Sequence, residues 1–130
     1  MEFLWLPRDA VIAIHRRQLA EHGGSDGIRE MGLLESALAR PQQLLAYGNP
    51  PPDLAALAAA YAFGIARNHP FIDGNKRTAL VATRTFLAIN GLNLVAGQED
   101  KLSIFLRLAA GEVSEEELTA WIRAHLRPLP

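Results

Sequence analysis

Ten residues between two apolar segments of this 130-residue chain concentrate several side chains that could do chemistry. They run from His69 to Thr78 and read HPFIDGNKRT. His69 can accept a proton from a hydroxyl at neutral pH, because an unperturbed imidazole titrates near pH ~6.5. Asp73 offers the hard oxygen ligand that suits a magnesium ion which also touches substrate phosphates.

The second half of this segment is suited to binding an anion. Gly74 has no side chain, so a phosphate can approach its backbone closely. Asn75, Lys76 and Arg77 begin the next predicted helix, where unpaired N–H groups and the helix dipole favour negative charge. The two cations strengthen that preference, and Arg77 can hold phosphate oxygens in a bidentate manner. A base, a metal ligand and an anion cradle in one loop predict a phosphoryl- or nucleotidyl-transfer site.

Each of these groups alone is common in proteins without such a role. His-Pro is usually structural, Asp-Gly-Asn is a frequent turn, and Lys-Arg often begins a solvated helix. Their occurrence together, in this order and between two buried helices, indicates a site. Other polar residues are less informative: His15, His22 and His125 are expected on helix surfaces or ends, Arg29 on the surface, and Arg67 either at the nucleotide or as a solvated helix-end charge.

Composition limits the class of protein. At 49% hydrophobic residues, the chain can form one domain over residues 1–130 with a substantial core. The absence of cysteine excludes disulfides and thiolate zinc sites and is compatible with a cytoplasmic location. A net charge of −1 gives no argument for direct nucleic-acid binding. No run approaches the ~20 apolar residues of a membrane span, and the N-terminus lacks the features of a signal peptide.

Apolar residues recur at helical spacing along most of the chain, which predicts an all-α fold. A first helix is predicted from about residue 8 to 21. A short helix over residues 33–39 should end before Pro41, because proline disfavours the α conformation in the residue that precedes it. The proline-rich stretch 48–52 breaks the pattern.

Two later segments, about 53–68 and 75–90, are apolar on almost every face, which is typical of helices at the centre of a bundle. The reactive segment joins them. Further helices are predicted around residues 102–109 and after a capping box from Ser114 to Glu117. The prediction is a compact helical bundle whose two central helices are connected by the motif loop.

The motif loop resembles the signature of the Fic/Doc superfamily, His-x-Phe-x-(Asp/Glu)-Gly-Asn-(Gly/Lys)-Arg. Every signature position is filled, by His69, Phe71, Asp73, Gly74, Asn75, Lys76 and Arg77. The lysine at position 76 resembles the signature of the Doc (death-on-curing) branch, whereas the adenylylating Fic branch has glycine there. Residues 22–24, 27–29, 32–41, 68–70 and 86–91 also look Doc-like, so the resemblance covers most of the chain. No (Ser/Thr)-x-x-x-Glu-(Gly/Asn) inhibitory helix is apparent.

This resemblance implies a Fic/Doc-type helical bundle with a small flap near residues 26–32, where the family lines up the target's backbone. It implies a toxin of a type II toxin–antitoxin system, inhibited by a cognate small antitoxin. Doc-type toxins are kinases, which transfer the γ-phosphoryl group of ATP, with Mg2+, to a threonine of elongation factor Tu and so inhibit translation. By the same resemblance, His69 would be the base and Asp73 would bind or orient the magnesium. Asn75, Lys76 and Arg77 would hold phosphates.

Two alternatives remain open at the level of sequence. Gly74 is the usual Fic choice, whereas some Doc sequences have alanine there, so a Fic-type adenylyltransferase that moves AMP to a protein hydroxyl is the second hypothesis. The third is a non-catalytic module that acts only by binding partners. The intact His69 argues against it, because a binding scaffold needs no base.

Overall fold

The computed structural model describes residues 2–130, which form six helices and one small antiparallel sheet. The helices are α1 (Arg8–His22), α2 (Met31–Tyr47), α3 (Leu54–Asn68), α4 (Asn75–Ile89), α5 (Gln98–Ala109) and α6 (Glu115–Ala124). The strands are β1 (Leu92–Leu94) and β2 (Leu126–Pro128), with Asn93 opposite Arg127. The all-α class is confirmed. The sheet was not predicted, because strands of three residues are too short to show an alternating pattern.

The core is built around α3, as its apolar sequence predicted. Ten of its 15 residues are buried, and α2, α4, α5 and α6 all contact it. Small residues allow close packing, since a Cβ built at Gly64 would lie 2.9 Å from the Cα of Ala37 in α2. Asp53 caps the start of the helix by accepting a hydrogen bond from the N–H of Ala56 at 2.9 Å.

The prediction of a helix ending before Pro41 was wrong, because α2 continues through this proline to Tyr47. Pro41 is buried on the same face as Leu34 and Ala37, at helical spacing. A proline inside a helix loses one backbone hydrogen bond and costs about 3 kcal/mol. Packing of this face against α3 outweighs that local cost.

The motif loop, residues 69–74, connects the central helices α3 and α4. On one side α1 packs against α4. On the other side Ile28 forms an isolated antiparallel bridge with Phe71, so the predicted flap region lies against the loop. Within residues 2–130, no helix has both the length and the hydropathy that a membrane span requires.

Candidate functional site

His69 directly follows α3 and has a left-handed backbone (φ 54°, ψ 54°). Pro70 ends the helix as predicted, because the residue before a proline avoids the α conformation. A left-handed conformation of a non-glycine residue costs on the order of 1–3 kcal/mol. Arg29 stabilises it: Nε donates to the carbonyl of His69 at 2.8 Å, and Nη2 donates to the carbonyl of Asn68 at 2.9 Å. Arg29 therefore caps α3 at the negative end of its dipole. The sequence predicted only a surface arginine, because nothing local connects Arg29 to the end of α3.

The backbone of Phe71 is held from both edges. The bridge to Ile28 has its hydrogen bonds on the flanking residues, so the N–H and C=O of Phe71 point the other way. There they bond to the side chain of Asn75, whose Oδ1 accepts from N–H at 3.0 Å and whose Nδ2 donates to C=O at 2.9 Å. The flanking bonds run from Arg29 N to Pro70 O (2.7 Å) and from Ile72 N to Gly27 O (3.1 Å).

Asn75 is buried and its amide also reaches the imidazole. Its Nδ2 lies 3.1 Å from Nδ1 of His69, which leaves Nε2 of this ring without a hydrogen-bond partner within residues 2–130. The amide of Asn75 is thus used within the loop. The backbone N–H at this position, in the first turn of α4, remains the group with which Asn75 could meet a phosphate.

His15, on α1, contacts the motif loop through both its ring face and its Nε2 atom. Its ring stacks on Phe71 with centroids 3.8 Å apart and planes 7° from parallel. Its Nε2 lies 2.8 Å from the carbonyl oxygen of Asp73. A buried stripe of α1 contains Val11, His15 and Gln18, and the two polar residues at apolar spacing were the signal that the sequence offered.

The carboxylate of Asp73 is exposed and only lightly engaged. Oδ1 accepts from the N–H of Gly74 at 2.8 Å, and Oδ2 accepts from the N–H of Ser25 at 3.3 Å. Each oxygen retains a lone pair for another ligand. Within residues 2–130, no three histidine or acidic side chains cluster as a metal site. This donor set fits magnesium, which is commonly held by one or two carboxylates together with phosphates and water.

Gly74 has φ 78°, a conformation that favours glycine at the start of α4. A Cβ at this position would lie 3.4 Å from Cδ2 of Leu19 and 3.7 Å from Cδ2 of His15. The positive φ alone therefore accounts for a glycine at position 74. The close approach of a phosphate to its backbone stays a prediction.

His69, Asp73, Gly74 and Asn75 line one pocket of about 440 Å3, a size in the usual range for small-ligand sites. Lys76 is exposed and Arg77 half-buried, and Nη1 of Arg77 lies 3.4 Å from Nε2 of His22. In the part of the chain that the structure describes, neither cation pairs with a carboxylate. The full lining is Gln18, Leu19, His22, Gly23, Gly24, His69, Asp73, Gly74, Asn75, Lys76 and Arg77.

The structure brings together all six residues that the sequence proposed for chemistry or ligand binding, from His69 to Arg77. Arg67 does not line this pocket; its guanidinium lies 5.3 Å from the ring centroid of Phe63. Gln18 and His22 were not foreseen as lining residues, because α1 precedes the motif by about fifty positions and only the fold places it there.

Comparison with known proteins gives three matches. The model of the Fic/DOC family matches residues 5–87. "Toxin Doc" of Mycolicibacterium smegmatis (strain ATCC 700084 / mc(2)155) is 49% identical over 74 residues, which are 57% of this chain and 57% of that protein. "Protein kinase doc" of Escherichia phage P1 is 32% identical over 115 residues, which are 88% of this chain and 90% of that protein. The match to the first of these relatives thus spans little more than half of its length.

Proposed function

Since this chain belongs to the Fic/DOC family, in its Doc branch, we propose that it is the toxin of a type II toxin–antitoxin system and a protein kinase. The proposed reaction moves the γ-phosphoryl group of ATP to a threonine hydroxyl of elongation factor Tu and so inhibits translation. The names of the two relatives, a toxin and a protein kinase, support this class.

One observation carries the proposal: the pocket combines an imidazole with cations that pair with no carboxylate within residues 2–130 and with a helix N-terminus. The first turn of α4, whose N–H groups have no partner within the helix, lines the same pocket as His69 and Asp73, and so do Lys76 and Arg77. In phosphoryl transfer the protein mainly positions the reactants and stabilises negative charge, and this pocket offers both.

In the proposed mechanism, the threonine oxygen forms a bond to the γ-phosphorus while the bond from that phosphorus to the bridging oxygen breaks. ADP leaves with the electron pair of the broken bond, and Nε2 of His69 receives the hydroxyl proton. Lys76, Arg77 and the backbone N–H groups of α4 hold the phosphate oxygens. Asp73 would hold magnesium, which supplies positive charge beside the phosphates when it is bound.

The segment around Ile28 is proposed to align the target. Its backbone already pairs with Phe71, next to His69, so an extended peptide running beside it would bring a hydroxyl near the imidazole. A small antitoxin is the proposed inhibitory partner, and Mg2+ and ATP are the proposed cofactors.

The test is to incubate the purified protein with elongation factor Tu, magnesium and ATP labelled at either the α- or the γ-phosphate. Label from γ-ATP alone, lost in His69→Ala, is the expected result. Absence of label from both nucleotides would contradict the proposed kinase acting on this target.

A second candidate function is transfer of AMP to a protein hydroxyl, which the glycine at position 74 favours, as in the Fic branch. It requires attack at the α-phosphorus, with pyrophosphate leaving. Target labelling from α-ATP in the same experiment would establish this alternative and overturn the kinase.

A further inference from the structure

The amide of Asn75 has only one orientation that fits its surroundings. Oδ1 lies 3.0 Å from the N–H of Phe71, and Nδ2 lies 2.9 Å from the C=O of the same residue. Exchanging the two amide atoms would oppose donor to donor and acceptor to acceptor. The residue is only 3% exposed, so water does not compete, and the backbone of Phe71 fixes which atom of the Asn75 amide is nitrogen.

This orientation determines the proton position on the neighbouring imidazole. Nδ2 of Asn75 lies 3.1 Å from Nδ1 of His69, and an amide nitrogen donates but does not accept. Nδ1 must therefore accept, and a neutral imidazole then has its proton on Nε2. We propose that Asn75 is a positioning residue that holds neutral His69 as the Nε2–H tautomer in the substrate-free protein.

The consequence for catalysis, which rests on the proposed function, is that the substrate-free ring is not ready to act as a base. Nε2 presents an N–H, which can donate to a phosphate or hydroxyl oxygen but cannot take a proton. Before base catalysis, one proton must leave Nε2 for water and another must reach Nδ1 from water. The hydrogen bond from Asn75 must break at the same time. Substrate binding therefore has to displace the contact between Asn75 and His69.

The test is a long-range 15N–1H correlation spectrum of the imidazole rings in uniformly 15N-labelled wild-type protein, at a pH of about 8.5 where an unperturbed imidazole is neutral. Two other histidines are internal references. Nε2 of His15 lies 2.8 Å from the carbonyl of Asp73, which only accepts, so this ring should show the Nε2–H pattern. Nδ1 of His125 lies 2.7 Å from the carbonyl of Trp121, so that ring should show the opposite pattern. Single His→Gln variants assign the signals.

Wild-type His69 should match His15, and a match to His125 would overturn the proposal. In Asn75→Asp the new carboxylate only accepts, so His69 should change to the Nδ1–H pattern. Asn75→Ala should leave a mixture of both patterns. If His69 kept its wild-type pattern in both folded variants, Asn75 would not be the cause and the proposal would fail.

Asn68→Asp is the matched control. Nδ2 of Asn68 donates to the carbonyl of Leu33 and, within residues 2–130, not to the His69 ring, so its replacement should leave the tautomer unchanged. Retained His15 and His125 signals show that a variant has folded, and the wild-type spectrum decides even if Asn75 variants unfold. Since no step of this test needs ATP or a target, an inactive protein with the expected spectrum would overturn the kinase and leave this inference standing.

Discussion

The Nε2 atom of His15 lies 2.8 Å from the carbonyl oxygen of Asp73, joining α1 to the motif loop across 58 positions of sequence. The same ring stacks on Phe71, the apolar residue of the loop. Through His15, α1 therefore gives the loop both a polar and an apolar contact.

Replacing His15 should weaken both stability and activity. His15→Ala removes a buried ring and a hydrogen bond, so we expect the free energy of unfolding to fall by about 3 kcal/mol. His15→Gln keeps an N–H donor and should cost less. Urea unfolding and phosphoryl transfer measure the two effects. His125→Ala is the control, since its ring also bonds a carbonyl, but that of Trp121 in α6 and not one of the motif loop. Equal transfer rates for both alanine variants would contradict a supporting role of His15.

Gly24 is predicted to be required for the position of Asp73. A Cβ at Gly24 would lie 2.8 Å from Oδ2 of Asp73 and 3.0 Å from Cδ2 of Leu19. Gly24→Ala should push the carboxylate aside and raise the magnesium concentration needed for half-maximal transfer.

The neighbouring glycine provides the control. Both glycines have a positive φ, 121° at Gly24 and 78° at Gly23, but a Cβ at Gly23 meets nothing within 4 Å. Gly23→Ala should therefore lower stability by about 1–3 kcal/mol through backbone strain, without touching Asp73. An unchanged magnesium dependence in folded Gly24→Ala would show that the contact with Asp73 does not matter.

Arg29 should matter for catalysis more than its exposed location suggests. Arg29→Ala removes two hydrogen bonds to the carbonyls of Asn68 and His69, which should cost about 1 kcal/mol of stability and release the left-handed backbone of His69. Transfer should fall more than tenfold, because the imidazole loses its orientation. Arg17→Ala, at an exposed helical ion pair with Glu21, should leave transfer unchanged. A similar rate in both variants would argue against the cap.

Lys76 is predicted to select the phosphate that is transferred. Where Fic enzymes have glycine, its side chain adds bulk and charge beside the anion cradle. If this turns the nucleotide so that the γ-phosphate faces His69, Lys76→Gly should shift target labelling from γ-ATP toward α-ATP. Lys76→Met separates bulk from charge, because it keeps most of the length and removes the ammonium. If Lys76→Gly still labelled the target from γ-ATP alone, this explanation would be wrong.

The ion pair between Asp53 and Arg123 should make stability depend on acid pH. Hydrogen bonds from the guanidinium of Arg123 are the main reason that the pKa of Asp53 is lowered. Burial opposes this shift, and the N–H of Ala56 adds to it. A lowered folded pKa means that the stabilisation is complete above the unfolded value of about 3.9 and is lost as pH falls through the folded value. Both side chains are about half exposed, so solvent screening limits the effect to under about 1 kcal/mol.

Chemical unfolding of wild-type protein and Arg123→Ala at several pH values checks this prediction. The difference in free energy of unfolding should be present at neutral pH and disappear in acid, and added salt should reduce it. A difference that persists below the folded pKa would assign the effect to packing of the arginine instead.

The sequence predicted the parts of the molecule whose signals are local. The apolar faces of α3 and α4 were recognised from spacing, and the structure places both at the centre. The capping box at Ser114 and Glu117 is present as predicted, because both its hydrogen bonds lie within one turn. Pro41 misled the prediction, since its local cost was visible in the sequence but the packing that outweighs it was not.

The segment from His69 to Arg77 was identified by sequence alone, because these residue types at this spacing are rare together. Tertiary structure decided what supports the loop. His15 lies 58 positions from Asp73, whose carbonyl it bonds. Arg29 lies 39 and 40 positions from Asn68 and His69, whose carbonyls it bonds. Asn75 directly follows the loop as the first residue of α4, yet its bonds to Phe71 and His69 depend on a turn that only the folded chain makes.

The sequence by itself thus determined which chemical groups this protein brings to its site, because residue identity is a local property. The tertiary structure decided their orientation. It set the left-handed backbone of His69, the contact of its Nδ1 with Asn75, and the position of the first turn of α4 beside Asp73. The physical reason is that hydrogen-bond direction and ring stacking depend on distances of a few ångströms between distant segments. Those distances are set only when α1, α3 and α4 pack together.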